Sequence, residues 1–238
     1  MGETRTVDLP TADGPMGVYE ARPDDTPTRA VFVFQEAFGV NDHIEDVTRR
    51  FADEGFLAVA PALFHRSGSP RMGYDDIQQV YPHMGELTSR GIEEDVEQTL
   101  EHLRRLGFED HAIGTVGFCM GGTLSLVTGA RHPLGASVTF YGGGIVEGRF
   151  GEPPLMELAP GLQTPWLGVF GDEDTGIPVD QVETLRAAAA EALVDTDVVR
   201  YPDAGHGFHC DARSAFRPAP ARDAWQRTIA FFGEHLQG

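Results

Sequence analysis

The chain predicts an α/β fold: a mostly parallel central sheet with helices on both faces. Short runs of β-branched and aromatic residues alternate with stretches whose apolar residues recur at helical spacing. Helical patterns of about 10–15 residues separate the later strands, as parallel neighbours in one sheet require. The first two segments instead flank a short turn, as an antiparallel edge hairpin does.

The elements follow in order. Residues 5–9 and 17–21 form the hairpin, and residues 29–34 (RAVFVF) read as a buried strand. Residues 44–54 read as an amphipathic helix with Ile44, Val47 and Phe51 on one face, and residues 57–61 as the next strand. Residues 74–87 and 92–106 carry helical spacing; Ile92, Val96, Leu100 and Leu103 share a face, and Gly107 stops the second helix. Residues 113–118 form a strand and residues 123–130 begin a small-residue helix. Strands at 136–141 and 166–170, a helix at 179–193, a strand at 196–201 and a closing helix at 219–236 complete the pattern. The Pro/Gly-rich stretches 24–28 and 148–160 read as surface loops, the second long enough to border a site. No repeat or linker interrupts the pattern, so a single domain over residues 1–238 is expected.

Charge narrows the partners. Thirty-seven acidic residues oppose 18 basic ones, for a net charge of −19, and every basic residue is arginine. Such a surface repels nucleic acid and anionic membranes. It fits ordinary solubility and genome composition, or a salty cytoplasm where screening relieves self-repulsion. Two cysteines, Cys119 and Cys210, are too few for a disulfide framework and suit a reducing compartment. Residues 1–10 lack a leader pattern, and no apolar run approaches the ~20 residues that span a bilayer. A soluble, cytoplasmic protein is expected.

The sharpest motif is Gly117-Phe118-Cys119-Met120-Gly121-Gly122, which ends a strand and opens a helix. That is the setting of a nucleophile elbow, G-x-S/C-x-G, in an α/β-hydrolase fold. Flanking glycines let strand and helix approach closely, and the helix N-terminus favours a thiolate. A dinucleotide G-x-G-x-x-G is not matched. Taken alone, Cys119 could equally be a buried structural cysteine in an ordinary turn. Chain order adds weight, because this fold places nucleophile, acid and histidine in that order. Strand 166–170 runs into Gly171-Asp172-Glu173-Asp174, and strand 196–201 is followed by Gly205-His206-Gly207-Phe208. Each candidate sits after the carboxyl end of a strand, where open α/β sheets build their sites. The residues alone leave Asp172 and Asp174 both open as the acid.

These residues resemble the dienelactone hydrolase (carboxymethylenebutenolidase) family over nearly the whole chain. The likeness rests on residues 34–41 (FQEAFGVN), 60–64 (APALF), the GFCMGG elbow, 171–178 and 205–208 (GHGF). It implies a Cys–His–Asp triad that opens lactones or cleaves esters, with no metal or cofactor. The family's acid, in a G-x-x-D-x-x-x-P run, falls on Asp174, ahead of Pro178. Glu36 matches a glutamate that holds the resting thiol, and the backbone N–H groups of Met120 and Ala37 match the oxyanion hole. Family members grip a substrate carboxylate with two arginines. Here Cys210 stands at one of those positions and residues 75–87 carry no arginine, so Arg71 and Arg213 are the candidate substitutes.

The expected chemistry is hydrolysis of a small-molecule ester or lactone through an acyl-cysteine intermediate; the oligomeric state stays open. A glutamine amidotransferase shares the G-x-C-x-G elbow, but wants a late His-x-Glu pair that His206-Gly207-Phe208 does not supply. A non-catalytic binding module on a hydrolase scaffold would have no use for an intact triad.

Overall fold

Eight strands form one sheet in the computed structural model, which describes residues 2–75 and 77–238. β1 (Thr4–Thr11) and β2 (Gly14–Ala21) make the antiparallel hairpin. β3 (Ala30–Phe34), β4 (Leu57–Pro61), β5 (Ile113–Phe118), β6 (Ala136–Phe140), β7 (Trp166–Gly171) and β8 (Thr196–Tyr201) follow. The spatial order is β1-β2-β4-β3-β5-β6-β7-β8; β2 meets β4 antiparallel, and every later pair is parallel. The helices are α1 (Asp42–Asp53), α2 (Tyr81–Gly85), α3 (Ser89–Arg105), α4 (Met120–Arg131), α5 (Leu155–Leu158), α6 (Val179–Ala189) and α7 (Pro218–His235).

The two-residue period of the strands divides the core between the faces. Val31 and Val33 of β3 join Ile44, Val47 and Phe51 of α1 and Phe232 of α7. Phe32 and Phe34 point the other way and join Ile92, Val96, Leu100 and Leu103 of α3. Each such buried side chain contributes roughly 1.5–3 kcal/mol of transfer free energy. The chain leaves β3 through α1 to lay β4 on one side, then crosses back through α3 to lay β5 on the other. At that reversal the connections leave β3 and β5 in opposite directions, which opens a crevice at their carboxyl ends.

Local chemistry moved several predicted boundaries. α1 starts two residues early because Asn41 Oδ1 accepts the Ile44 N–H at 3.2 Å. α3 starts at Ser89 because the Thr88 hydroxyl caps the Gly91 N–H at 3.2 Å. α4 begins at Met120, directly after the cysteine, because its glycines let the first turn wind against β3. α6 stops at Ala189, whose carbonyl takes a hydrogen bond from the Thr196 hydroxyl. The helix expected over 74–87 is instead a 3₁₀ turn at Ile77–Val80 and the short α2, in which Pro82 has no N–H to continue the ladder. Residue 76, within that expected helix, and residue 1, in the stretch read for a leader, lie outside the described residues. No helix among the described residues is long and apolar enough to cross a membrane.

One buried carboxylate ties the hairpin to α3. Glu20 of β2 is fully buried; it accepts from Arg5 Nε at 2.6 Å and meets His102 of α3. Burial pushes the carboxyl up, but the His102 and Arg5 hydrogen bonds prevail and hold it down at about 2. A carboxyl depressed from 4.5 stabilises the fold above that value and loses the contribution as pH falls toward 2. Glu20→Ala should therefore cost about 3 kcal/mol in urea denaturation at pH 7, since it takes the buried carboxylate away from Arg5, Arg22 and His102 together. The gap between wild type and variant should close as the measurement is repeated from pH 5 down to pH 2.

Candidate active site

Cys119 links β5 to α4 with φ 56° and ψ −116°, a conformation that L-residues avoid. Its N–H is pinned to the Phe140 carbonyl of β6 at 3.0 Å, and its own carbonyl takes the Gly122 N–H at 3.0 Å. The glycines are there for room. A Cβ on Gly117 would lie 1.9 Å from the Gly121 carbonyl oxygen, and one on Gly121 would lie 2.5 Å from the carbonyl oxygens of both Phe34 and Gln35. α4 is thus wedged between β5 and the end of β3. No side chain caps its first turn. The Met120 amide there and the Ala37 amide after β3 are not spent on another acceptor among the described residues.

The motif at residues 34–41 is held by its own side chains. Gln35 Oε1 accepts the Leu63 N–H at 3.1 Å, which joins the motif to residues 60–64. Asn41 caps α1 and donates to the Met72 carbonyl at 3.2 Å. Gly39 turns at φ +80°, where a Cβ would strike the Pro70 carbonyl oxygen at 2.0 Å.

The two aspartates after β7 have different partners. Asp172 is held bidentately by Arg200 of β8 at 2.7 and 2.8 Å. Asp174 is buried; Oδ1 accepts the Gly176 N–H at 2.9 Å and Oδ2 meets His206 Nδ1 at 2.7 Å. Burial alone would lower the His206 pKa; hydrogen bonds to Asp174 and to the Cys119 sulfur outweigh it and push the imidazole up to about 10. His206 thus holds the buried Asp174 carboxylate through Nδ1 and lines one cavity with Cys119. Phe208, two residues on, is buried in the core and offers no second carboxylate.

Glu36 is fully buried behind this group. Its Oε2 accepts the Tyr74 hydroxyl at 2.7 Å, and its Oε1 lies 3.6 Å from Arg213 Nη1 without a hydrogen bond. The contact between glutamate and resting thiol that the resemblance implies is not among the hydrogen bonds of this conformation, because Tyr74 has taken one oxygen and Arg213 faces the other. Arg213 lies over the Tyr74 ring and over Gly207, where a Cβ would come within 2.5 Å of its Nη1. Burial, then Glu36, push the Cys210 thiol up to about 11. Tyr141 is fully buried at φ 39°, its hydroxyl unpartnered among the described residues and its ring 5.1 Å from that of His206. Burial, and after it Glu36 and both sulfurs, push its hydroxyl well above the ordinary range.

A cavity of about 80 Å³ opens over Cys119 and His206. Met84, Met120, Phe150 and Ile177 line it with apolar surface, and Arg149 adds a guanidinium. Arg71 is not brought there. Half-exposed, it pairs with Asp42 and Glu45 of the first turn of α1. Sequence reasoning missed Tyr74, Tyr141 and Arg149. The signal for Arg149 was present, since it lies in the 148–160 loop expected to border a site; nothing marks the two tyrosines.

Comparison with known proteins covers nearly the whole chain. The profile described as "Dienelactone hydrolase family" matches residues 16–236. A Salmonella typhimurium protein named "Putative carboxymethylenebutenolidase" is 36% identical over 235 residues, covering 95% of this chain and 86% of that one. A Rhodococcus opacus protein named "Carboxymethylenebutenolidase" is 28% identical over 226 residues, covering 93% and 87%. The crystal structure described as "Putative Dienelactone Hydrolase" from Klebsiella pneumoniae superposes with a TM-score of 0.91 at 34% identity, covering 98% and 99%. The expected α/β-hydrolase fold is the fold observed.

The His206 contacts make a measurable claim. Asp174 raises this imidazole, so Asp174→Asn should let it titrate well below about 10, followed by imidazole NMR. Asp172→Asn should leave the titration where it was, because Asp172 answers to Arg200.

Proposed function

The chain belongs to the dienelactone hydrolase family, and from that premise we propose that it hydrolyses a small ester or lactone through an acyl-cysteine intermediate. Cys119, His206 and Asp174 are the working set, carried on a single domain. The position of His206 supports this reading most: one ring nitrogen on a buried carboxylate, the thiol on its other side, and an apolar cavity above both.

Asp174 holds Nδ1–H and so turns Nε2 toward the sulfur. The thiol proton passes to Nε2 as sulfur bonds the carbonyl carbon, and the carbonyl π pair moves onto oxygen. The Met120 and Ala37 amides receive that oxyanion. Collapse re-forms the carbonyl and breaks the C–O bond; the departing alkoxide takes the proton from the imidazolium. In a lactone this alkoxide stays tethered to the acyl group. Water then gives a proton to His206 and adds to the thioester; the thiolate leaves and is reprotonated. Every proton in the cycle passes through His206.

Glu36 is the gate on the nucleophile. Its uncommitted Oε1 can accept the resting thiol proton when the carboxylate swings from Arg213, and its charge opposes a thiolate. Arg213, seated behind it, fixes that carboxylate instead of reaching a substrate.

Limiting iodoacetamide should label Cys119 and spare Cys210, mapped by mass spectrometry, and Cys119→Ala should lose turnover of p-nitrophenyl acetate. Asp174→Asn should lose on the order of 10⁴ in rate. Dominant labelling of Cys210 with activity retained would remove the cysteine assignment.

Glu36→Gln should speed alkylation of Cys119 in the absence of substrate and hasten its inactivation by peroxide. Alkylation that overlays wild type, with unchanged turnover, would take Glu36 out of the mechanism.

A further inference from the structure

Among the described residues, the non-glycine residues with positive φ are Ser69, Cys119, Tyr141 and Phe150. All but Ser69 stand at the site. Cys119 and Phe150 line the cavity, and the Tyr141 ring lies 5.1 Å from that of His206. The strain at Cys119 belongs to the elbow, but Phe150 is in an ordinary loop. Phe150 has φ 59° and Gly151 φ 78°, and the Glu152 N–H donates to the Arg149 carbonyl at 2.9 Å. Positive φ at both central residues marks a type I′ turn, which favours Asn-Gly, Asp-Gly or Gly-Gly. Gly151 obeys that preference. Phe150 breaks it, because a bulky side chain at positive φ is strained. The turn is pinned on several sides. Glu152 is buried and held by both terminal nitrogens of Arg131. A Cβ on Gly148 would lie 2.0 Å from the Glu152 carbonyl oxygen, and one on Gly151 would lie 3.3 Å from the backbone nitrogen of Ser89, where α3 starts. Arg149 rests on Gly143, where a Cβ would lie 3.1 Å from its Nη1. Past the turn the chain is tied back to its own beginning. The Leu155 N–H donates to the Gly144 carbonyl at 3.0 Å, and the Met156 N–H to the Ile145 carbonyl at 3.1 Å.

We propose that Phe150 is a specificity-determining residue: its ring is a fixed wall that limits the size of the substrate group lodged above Cys119, so that the preferred ester or lactone is short and compact on that side. The site identity rests on the hydrolase reading above. The physical reasons are two. A wall discriminates only if it does not yield. Met84, which also lines the cavity of about 80 Å³, is unbranched and can turn aside. The Phe150 ring stands at the tip of a pinned turn and packs, half-buried, against the core on the α3 face of the sheet. The second reason is the strain itself. An asparagine at position 150 would suit the turn but would leave the cavity unwalled, so what the strained conformation secures is the place of the ring.

The test compares wild type with Phe150→Asn, which suits the turn and removes the ring, and with Phe150→Leu, which keeps an apolar side chain of shorter reach. Acetate and hexanoate esters of p-nitrophenol vary the acyl side; phenyl acetate and 2-naphthyl acetate vary the leaving side. In one of these pairs the ratio of kcat/KM for the larger ester over the smaller should rise about ten-fold in Phe150→Asn, and by less in Phe150→Leu. The pair that responds reports which end of the substrate faces the ring. A second readout needs no turnover. The alkylation rate of Cys119 by iodoacetanilide relative to iodoacetamide should rise in the same variants, since the two reagents share their chemistry and differ in bulk. If no ester is turned over but this alkylation ratio rises, the hydrolase reading fails and the wall at Phe150 stands. Ratios equal to wild type in both assays overturn the proposal; a fall in melting temperature beside them would make Phe150 a packing residue.

Discussion

At Cys119 the chain passes from β5 into α4 at φ 56°, a conformation that costs roughly 1–3 kcal/mol for a residue with a side chain. The surroundings leave no alternative. The Cys119 amide is fixed to β6, and the first turn of α4 is pressed so tightly between β5 and β3 that Gly117 and Gly121 have no space for a methyl group. The strain lifts the thiol above the sheet and sets it at an uncapped helix start. It also brings that start beside the end of β3, where Glu36 and the Ala37 amide emerge. The cavity, the amide pair and the buried glutamate all take their positions from this one wedge.

The second organising constraint is charge. A chain with twice as many acids as bases must dispose of its buried carboxylates one by one. Glu20 meets Arg5 and His102, Asp95 meets His65 and Arg66, and Glu152 meets Arg131. The Glu20–His102 contact ties the hairpin to α3, and the Asp95 and Glu152 contacts join segments 21 or more residues apart in sequence. Asp174 and Glu36 differ from them. Asp174 is answered by a histidine that faces the nucleophile, and Glu36 keeps one oxygen without a hydrogen bond. Among the buried carboxylates of the described residues, these two are the ones without a hydrogen bond from an arginine.

Some of this was legible in advance and some was not. The strands 29–34, 57–61 and 113–118 read correctly because burial on both faces writes an unbroken apolar run. The stretch 74–87 misled because its apolar spacing is helical while Pro82 interrupts the ladder, and periodicity does not register a missing N–H. Arg71 and Arg213 could be named only as arginines in loops. Whether such a residue reaches a cavity depends on which acids stand near it, and those lie 26 or more residues away in sequence for the closest Arg71 partner, Glu45, and far more for Glu36 and Arg213.

The sequence by itself determined the layer order, the elbow, and the placement of a cysteine, an acid and a histidine at successive strand ends. Those follow from periods of 2 and 3.6 residues and from glycines at fixed offsets, which are local properties. Only the tertiary structure decided which aspartate meets His206, since Arg200 on the adjacent strand claims the first of two aspartates that stand two positions apart. It alone decided that Tyr74 and Arg213 surround Glu36 and that Arg149 lies bare over Gly143. The reason is the range of the interactions. A hydrogen bond or an ion pair is set by distances of a few ångströms between atoms that the chain brings together from different strands and loops, and no hydrophobic periodicity records that meeting.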